Sequence, residues 1–170
     1  MVETLSQINV KNGIKDLWIF DLDGTLWMEN SHVAIVEQFL GWRKYTNFFS
    51  RVYGKFFFKK YYADLCDDYS KIKSEYIKKE FHPHIQNEAI NILNQAKSKS
   101  DDVYILSNAP KEIIEFAEEM FKIKGFRAPI GEKGKVLQEL FTSWDRLSVV
   151  TDNLTDISLI ELSDKTYFFV

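Results

Sequence analysis

A chain of 170 residues, 45% hydrophobic and 15% aromatic, has ample apolar material for one compact domain with an inserted lobe, which argues against disorder. A net charge of −3 and a pI near 5.7 argue against a general nucleic-acid binder. The single cysteine, Cys66, excludes an intrachain disulfide framework, and the polar start MVETLSQINVKNGIKD lacks the apolar core of a secretory signal. No apolar stretch approaches the ~18–20 residues needed to span a bilayer, so a cytoplasmic protein is expected.

The first apolar run, at 17–20, reads as a buried strand and leads directly into FDLDGTL at 20–26. From 29 to 83 no strand pair is evident, and the pattern is helical with Gly54 as the one mid-stretch breaker. Within this stretch, WRKYTNFFSRVYGKFFFKKYY at 42–62 holds ten aromatics and six Lys or Arg without an acid. Aromatics at 45, 49, 53 and 56 follow a helical stripe and predict a lobe core with lysines on the wet face. Phe56, Phe57 and Phe58 cannot all point one way on a helix, so at least one should sit on another surface.

After Pro83, Ile85, Ala89, Ile92, Leu93 and Ala96 recur at helical spacing. A second strand is expected at 103–106, ending at Ser107 and Asn108. A helix then follows through Ile113, Phe116, Ala117 and Met120, with Asn108 as its cap and Pro110 in its first turn. Val136, Leu137, Leu140 and Phe141 mark another helix, with Lys133 and Lys135 just ahead of it. A strand at 147–151 ends in Asp152, a short helix spans 157–162, and a last strand at 166–170 is expected at a sheet edge. Strands alternating with helices imply an α/β fold with a mostly parallel sheet. The expected division is a core of 1–28 and 84–170 with a helical cap lobe at 29–83.

In such a sheet, ligands bind beyond the carboxyl ends of the strands, and the residues found there form a coherent set. Asp21 and Asp23, two apart in an extended segment, face one small volume and repel unless a cation or a shared proton relieves them. Ser107, Asn108, Lys133, Asp152 and Asp156 converge from the other strand ends. Hard carboxylate oxygens suit Mg²⁺ shared with a phosphate, while hydroxyl, amide and ammonium groups suit phosphoryl oxygens. With its charge neutralised, one aspartate attacks phosphorus and the other serves as acid and then base. His32, His82 and His84 make no metal-like grouping and are expected at the surface or in packing, with His32 placed where a cap residue meets substrate.

DLDGT at 21–25, the strand YILSN ending at Ser107, the lysine of EKGK and TDNLTD at 151–156 resemble, in order, the four motifs of the haloacid dehalogenase superfamily. The resemblance covers about 17–26 and 84–170 and is nearest the phosphoserine phosphatase-like branch. It implies a Rossmann-like core with a helical cap inserted after the first strand. It further implies Asp21 as nucleophile and metal ligand, and Asp23 as acid–base residue with a carbonyl on the metal. Ser107 and Asn108 would hold phosphate, as would Lys133 (Lys135 being the alternative). Asp152 would complete the Mg²⁺ site, with Asp156 supporting it or ligating directly. Because dehalogenases of the superfamily lack the second aspartate, Asp23 favours phosphate over carbon–halogen bonds. Thr151 stands where glycine is common, and crowding of the metal side is expected from it.

The expected function is Mg²⁺-dependent hydrolysis of a small phosphomonoester through an aspartyl-phosphate. The alternatives are a phosphatase acting on a lipid phosphate at a membrane surface, for which 42–62 suggests weak contact with anionic lipid, and a non-catalytic binding protein of the same fold.

Overall fold

The computed structural model describes residues 14–169; the polar start of the chain and Val170 of the last expected strand lie outside them. The apolar run before Asp21 forms β1 (Ile14–Phe20). Its side chains alternate between two cores. Leu17 and Ile19 pack with Leu106, Leu147 and Val149, while Trp18 and Phe20 pack with Ile105 and Val150. A strand covered on both faces must be apolar at successive positions, which is why its sequence reads as a run rather than an alternation.

β2 (Val103–Ser107), β3 (Lys124–Arg127), β4 (Trp144–Thr151) and β5 (Lys165–Phe168) complete a parallel sheet in the order β3-β2-β1-β4-β5. The strand order reverses direction about β1, with β2 on one side and β4 on the other. The loops leaving these three strands therefore diverge around a crevice at their carboxyl ends. β5 is an edge strand, as expected, and begins one residue earlier than the apolar run suggests.

The other edge strand, β3, carries no sequence signal. Its four residues, KGFR, are exposed at both ends, and α6 (Lys111–Phe121) covers Gly125. A Cβ at Gly125 would lie 2.4 Å from Ile114 Cγ2, so the helix packs on bare backbone where a β-branched residue would have announced the strand. α5 (Asn87–Lys99) covers the Trp18/Phe20 face with α6, while α7 (Lys133–Leu140) and α8 (Ile157–Ile160) cover the Leu17/Ile19 face. Lys133 and Lys135, expected ahead of α7, lie inside its first turn.

Between β1 and α5 the chain is helical: α1 (Ser31–Leu40), α2 (Phe48–Phe56), α3 (Phe58–Tyr69) and α4 (Ser74–Glu80). Gly54 is not a breaker. It sits inside α2, where the Tyr61 ring would come within 3.1 Å of a Cβ, so its lack of a side chain lets α2 and α3 close together. The break falls at Phe57. The aromatic stripe expected to form a core does not: Tyr45 is buried, whereas Phe49 and Phe56 are 83% and 74% exposed. On α2, Gly54 meets the Tyr61 ring of α3 and Ser50 and Tyr53 are half-buried, so the Phe49 and Phe56 side is the one left to solvent.

A buried acid anchors this helical segment. The Asp68 carboxylate accepts from Lys44 Nζ, from Lys71 Nζ at 2.7 Å and from Tyr45 Oη at 2.7 Å. These three donors hold it well below the ordinary carboxylate range. Asp68→Asn is expected to lower stability by about 2–4 kcal/mol, because it weakens charged hydrogen bonds at a buried site. The carboxylate's contribution is complete above its unfolded pKa, near 3.9, and disappears as pH falls through the depressed folded value. Denaturant melts of parent and variant should therefore converge on acidification.

Candidate active site

The crevice is built from the end of β1 outward. The Asp21 N–H donates to Val150 O at 2.9 Å, fixing the strand end against β4. The Asp21 carboxylate accepts from the Leu22 N–H at 2.8 Å and from Lys133 Nζ at 2.7 Å, and is 6% exposed. The chain then turns at Gly24, whose φ is +73°. A Cβ there would stand 2.0 Å from Asp152 Oδ2, so both the backbone conformation and the space require glycine. Thr25, fully buried, donates its hydroxyl to Asp152 Oδ1 at 3.2 Å. The DGT of the motif is thus what seats Asp152 against the β1 loop. Asp23 accepts from the Ser31 N–H at 3.0 Å, at the start of α1, where helix N–H groups favour an anion.

Lys133 is 1% exposed and bridges Asp21 and Asp156, at 2.7 and 2.8 Å. Lys135 points outward, toward Glu132 and Glu139, so of the two lysines it is Lys133 that reaches the carboxylates at the strand ends. Asp156 also accepts from Thr151 Oγ1 at 2.9 Å. Asp156 therefore stands behind Asp21 as an anchor for Lys133. The Thr151 hydroxyl is turned to this anchor and accepts from the Asn153 N–H at 3.1 Å, so it shapes the loop rather than crowding the crevice.

A cavity of about 570 Å³ opens at these strand ends. Asp21, Asp23, Gly24, Ser107, Asn108 and Asp152 form its floor. Ser107, 2% exposed, accepts from the Ala109 N–H at 3.2 Å. Asn108 does not cap α6: its amide donates to Ala128 O at 2.7 Å, pinning the β2 loop to the segment after β3.

Burial raises Asp21 to about 7; Lys133 opposes the shift and Asp156 adds to it. Burial likewise raises Asp23 to about 6, against hydrogen bonds from Ser31. Asp152 is raised by burial, with backbone and Thr25 hydrogen bonds opposing. Burial works against the Lys133 charge too, but Asp21 and Asp156 outweigh it and raise its pKa.

This crowding of acids is the condition a cation would relieve. Among the described residues no three His, Cys, Asp or Glu side chains close a metal cage. What the floor offers instead is two carboxylates, Asp21 and Asp152, with Asp23 also lining it. That donor set fits Mg²⁺, which keeps several waters and takes one or two carboxylates together with substrate phosphate.

His32 is a packing residue, one of the two settings expected for it, and it lies at the cavity. It is 6% exposed, lines the cavity and stacks edge-on against Tyr69 at 4.6 Å and Tyr62 at 6.0 Å. Burial, with Arg127 adding, lowers its pKa to about 4, so it is neutral near pH 7, and its Nε2 has no protein partner. Phe58, Tyr61, Tyr62 and Leu65 of α3 form the wall beside it. Only its place one residue into α1, close to the acid pair in sequence, signalled this role. His82 and His84 are exposed, as expected.

No protein-family profile matches the chain, and no curated protein matches its sequence. Solved structures do match in shape. A phosphoserine phosphatase carrying an analogue of the phospho-aspartyl intermediate superposes with a TM-score of 0.63 at 15% identity, over 92% of this chain and 87% of that one. A substrate-bound phosphoserine phosphatase gives 0.63 at 14% identity, over 89% and 84%. A phosphoserine phosphohydrolase-like protein from Francisella tularensis subsp. tularensis SCHU S4 gives 0.57 at 15%, over 89% and 94%. At these identities the likeness is one of fold. The chain has the haloacid dehalogenase fold, in its phosphoserine phosphatase-like form.

Proposed function

We propose that the protein is a Mg²⁺-dependent phosphatase of small phosphomonoesters that works through an aspartyl-phosphate on Asp21. The observation that carries this reading is the buried Lys133 bridge, which holds Asp21 at the sheet's switch point beside Asp152, Ser107 and a second acid of raised pKa.

In this reading Ser107 and Asn108 receive the phosphoryl oxygens, and Lys133 neutralises Asp21 and the phosphoryl group it acquires. An Asp21 oxygen forms a bond to phosphorus as the ester P–O bond breaks. Asp23 gives its proton to the departing alkoxide oxygen. It then takes a proton from water, whose oxygen attacks phosphorus, releasing phosphate and restoring the Asp21 carboxylate. A value near 6 suits Asp23 to both duties around neutral pH. Asp21, Asp152 and the Asp23 carbonyl would hold Mg²⁺, which when bound would keep the ligating carboxylates ionised and offset the negative charge of the phosphate. Asp156 acts through Lys133. Residues 29–83 serve as a cap over a core of 1–28 and 84–170, with His32 in the wall between them.

Purified protein is expected to hydrolyse p-nitrophenyl phosphate with Mg²⁺ and to stop when a chelator is added. Failure to turn over this ester and a panel of metabolite phosphates with Mg²⁺ would reject the reading. Mg²⁺ should also raise the melting temperature of the parent by mass action, and Asp152→Ala should lose that rise. A variant that keeps the full shift removes Asp152 from the metal site.

A further inference from the structure

α2 is an amphipathic helix whose apolar face points away from the protein. At 100° per residue, Phe48, Val52, Phe56 and Phe49 fall within an arc of about 100°. Their exposures are 74%, 42%, 74% and 83%. The opposite arc, Ser50, Tyr53 and Gly54, is the half-buried one, and Gly54 meets the Tyr61 ring of α3. A surface helix of a globular protein ordinarily has these faces reversed. Phe57 and Phe58, 59% and 54% exposed, carry the apolar surface on into α3. Phe58 also lines the cavity, so this surface adjoins the cavity wall.

Within 42–62 the charges flanking the arc are all positive. Arg51 and Lys55 flank it on α2, and Lys59 and Lys60 follow on α3, all exposed. None of the four meets a carboxylate among the described residues, and no acid occurs anywhere in 42–62.

We propose that the outer face of α2 and the start of α3 dock the protein on anionic lipid bilayers. Phenyl rings on a short interfacial helix enter the boundary between headgroups and acyl chains, while the flanking cations reach lipid phosphates and carboxylates. A second copy of the chain is a poorer occupant. A two-fold contact through this face would set cation against cation with no acid in 42–62 to pair them. A short amphipathic face with a few flanking cations gives reversible attachment rather than anchoring.

The test is co-sedimentation of the full chain with vesicles of phosphatidylcholine alone or mixed with phosphatidylserine, at low and high salt. Binding is expected to the mixed vesicles at low salt, with loss at high salt. Each surface cation is worth roughly fivefold in partitioning. Lys55→Glu, Lys59→Glu and Lys60→Glu together should therefore weaken binding about a hundredfold or more. Phe49→Ser with Phe56→Ser should weaken it at an unchanged melting temperature, since both rings are already in solvent. No sedimentation with phosphatidylserine vesicles at low salt overturns the proposal, as does binding that both variants retain. Self-association that Phe49→Ser and Phe56→Ser abolish, without vesicle binding in the parent, assigns the face to a second copy instead. None of these readouts depends on turnover, so the docking surface and the phosphatase reading stand or fall separately.

Discussion

Asp21→Asn is expected to abolish phosphomonoester turnover, by on the order of 10⁵-fold or more, with the fold intact. An amide has no anionic oxygen to bond to phosphorus, so the loss exceeds that of a missing proton donor. The substitution is also gentle on structure. An asparagine Oδ1 can accept from both the Leu22 N–H and Lys133 Nζ, the two bonds the aspartate makes, and burial already disfavours charge at this position. Lys133 keeps its second partner in Asp156. Circular dichroism and melting should therefore match the parent while single-turnover assays show no phosphate release. Asp23→Asn makes the useful contrast, with an expected loss of ~10² to 10⁴, the usual worth of a positioned acid or base. Comparable activity in Asp21→Asn and the parent would remove Asp21 as nucleophile.

Lys133→Met should have the largest effect on stability, about 3–5 kcal/mol near neutral pH, because it leaves two buried carboxylates without their shared cation. The sign of its pH dependence follows. Without the ammonium that lowers it, burial and the neighbouring Asp156 raise the folded-state pKa of Asp21 further above the unfolded value. The folded variant then binds more protons than the unfolded chain, so its stability falls as pH rises through that window and recovers as pH drops. Urea melts of Lys133→Met at pH 5 and pH 7.5 should show the deficit shrinking at the lower value. Lys135→Met, at the exposed neighbour, should stay within about 0.5 kcal/mol of the parent at both. Equal behaviour of the two variants would mean that the buried bridge contributes nothing.

Features written in local chemistry could be read from the residues. A buried parallel strand needs consecutive apolar residues, so the runs that became β1, β2 and β4 were legible, as were the helices between them. The acids, serine and lysine at the strand ends were legible because the order of the motifs reproduces the order of the strands, and their α/β reading holds in a sheet that is parallel throughout. Tertiary structure alone decided the rest, since it turns on which surfaces meet. β3 was hidden because α6 packs on its bare glycine, and Gly54 looked like a break because the reason for it is the Tyr61 ring of the next helix. The choice of Lys133 over Lys135 required knowing which lysine α7 turns toward the sheet. The aromatic stripe of 42–62 had the right period for a core, but periodicity specifies a face and not its direction. Only the position of α2, with a neighbour on its small-residue side, turned those rings to the solvent.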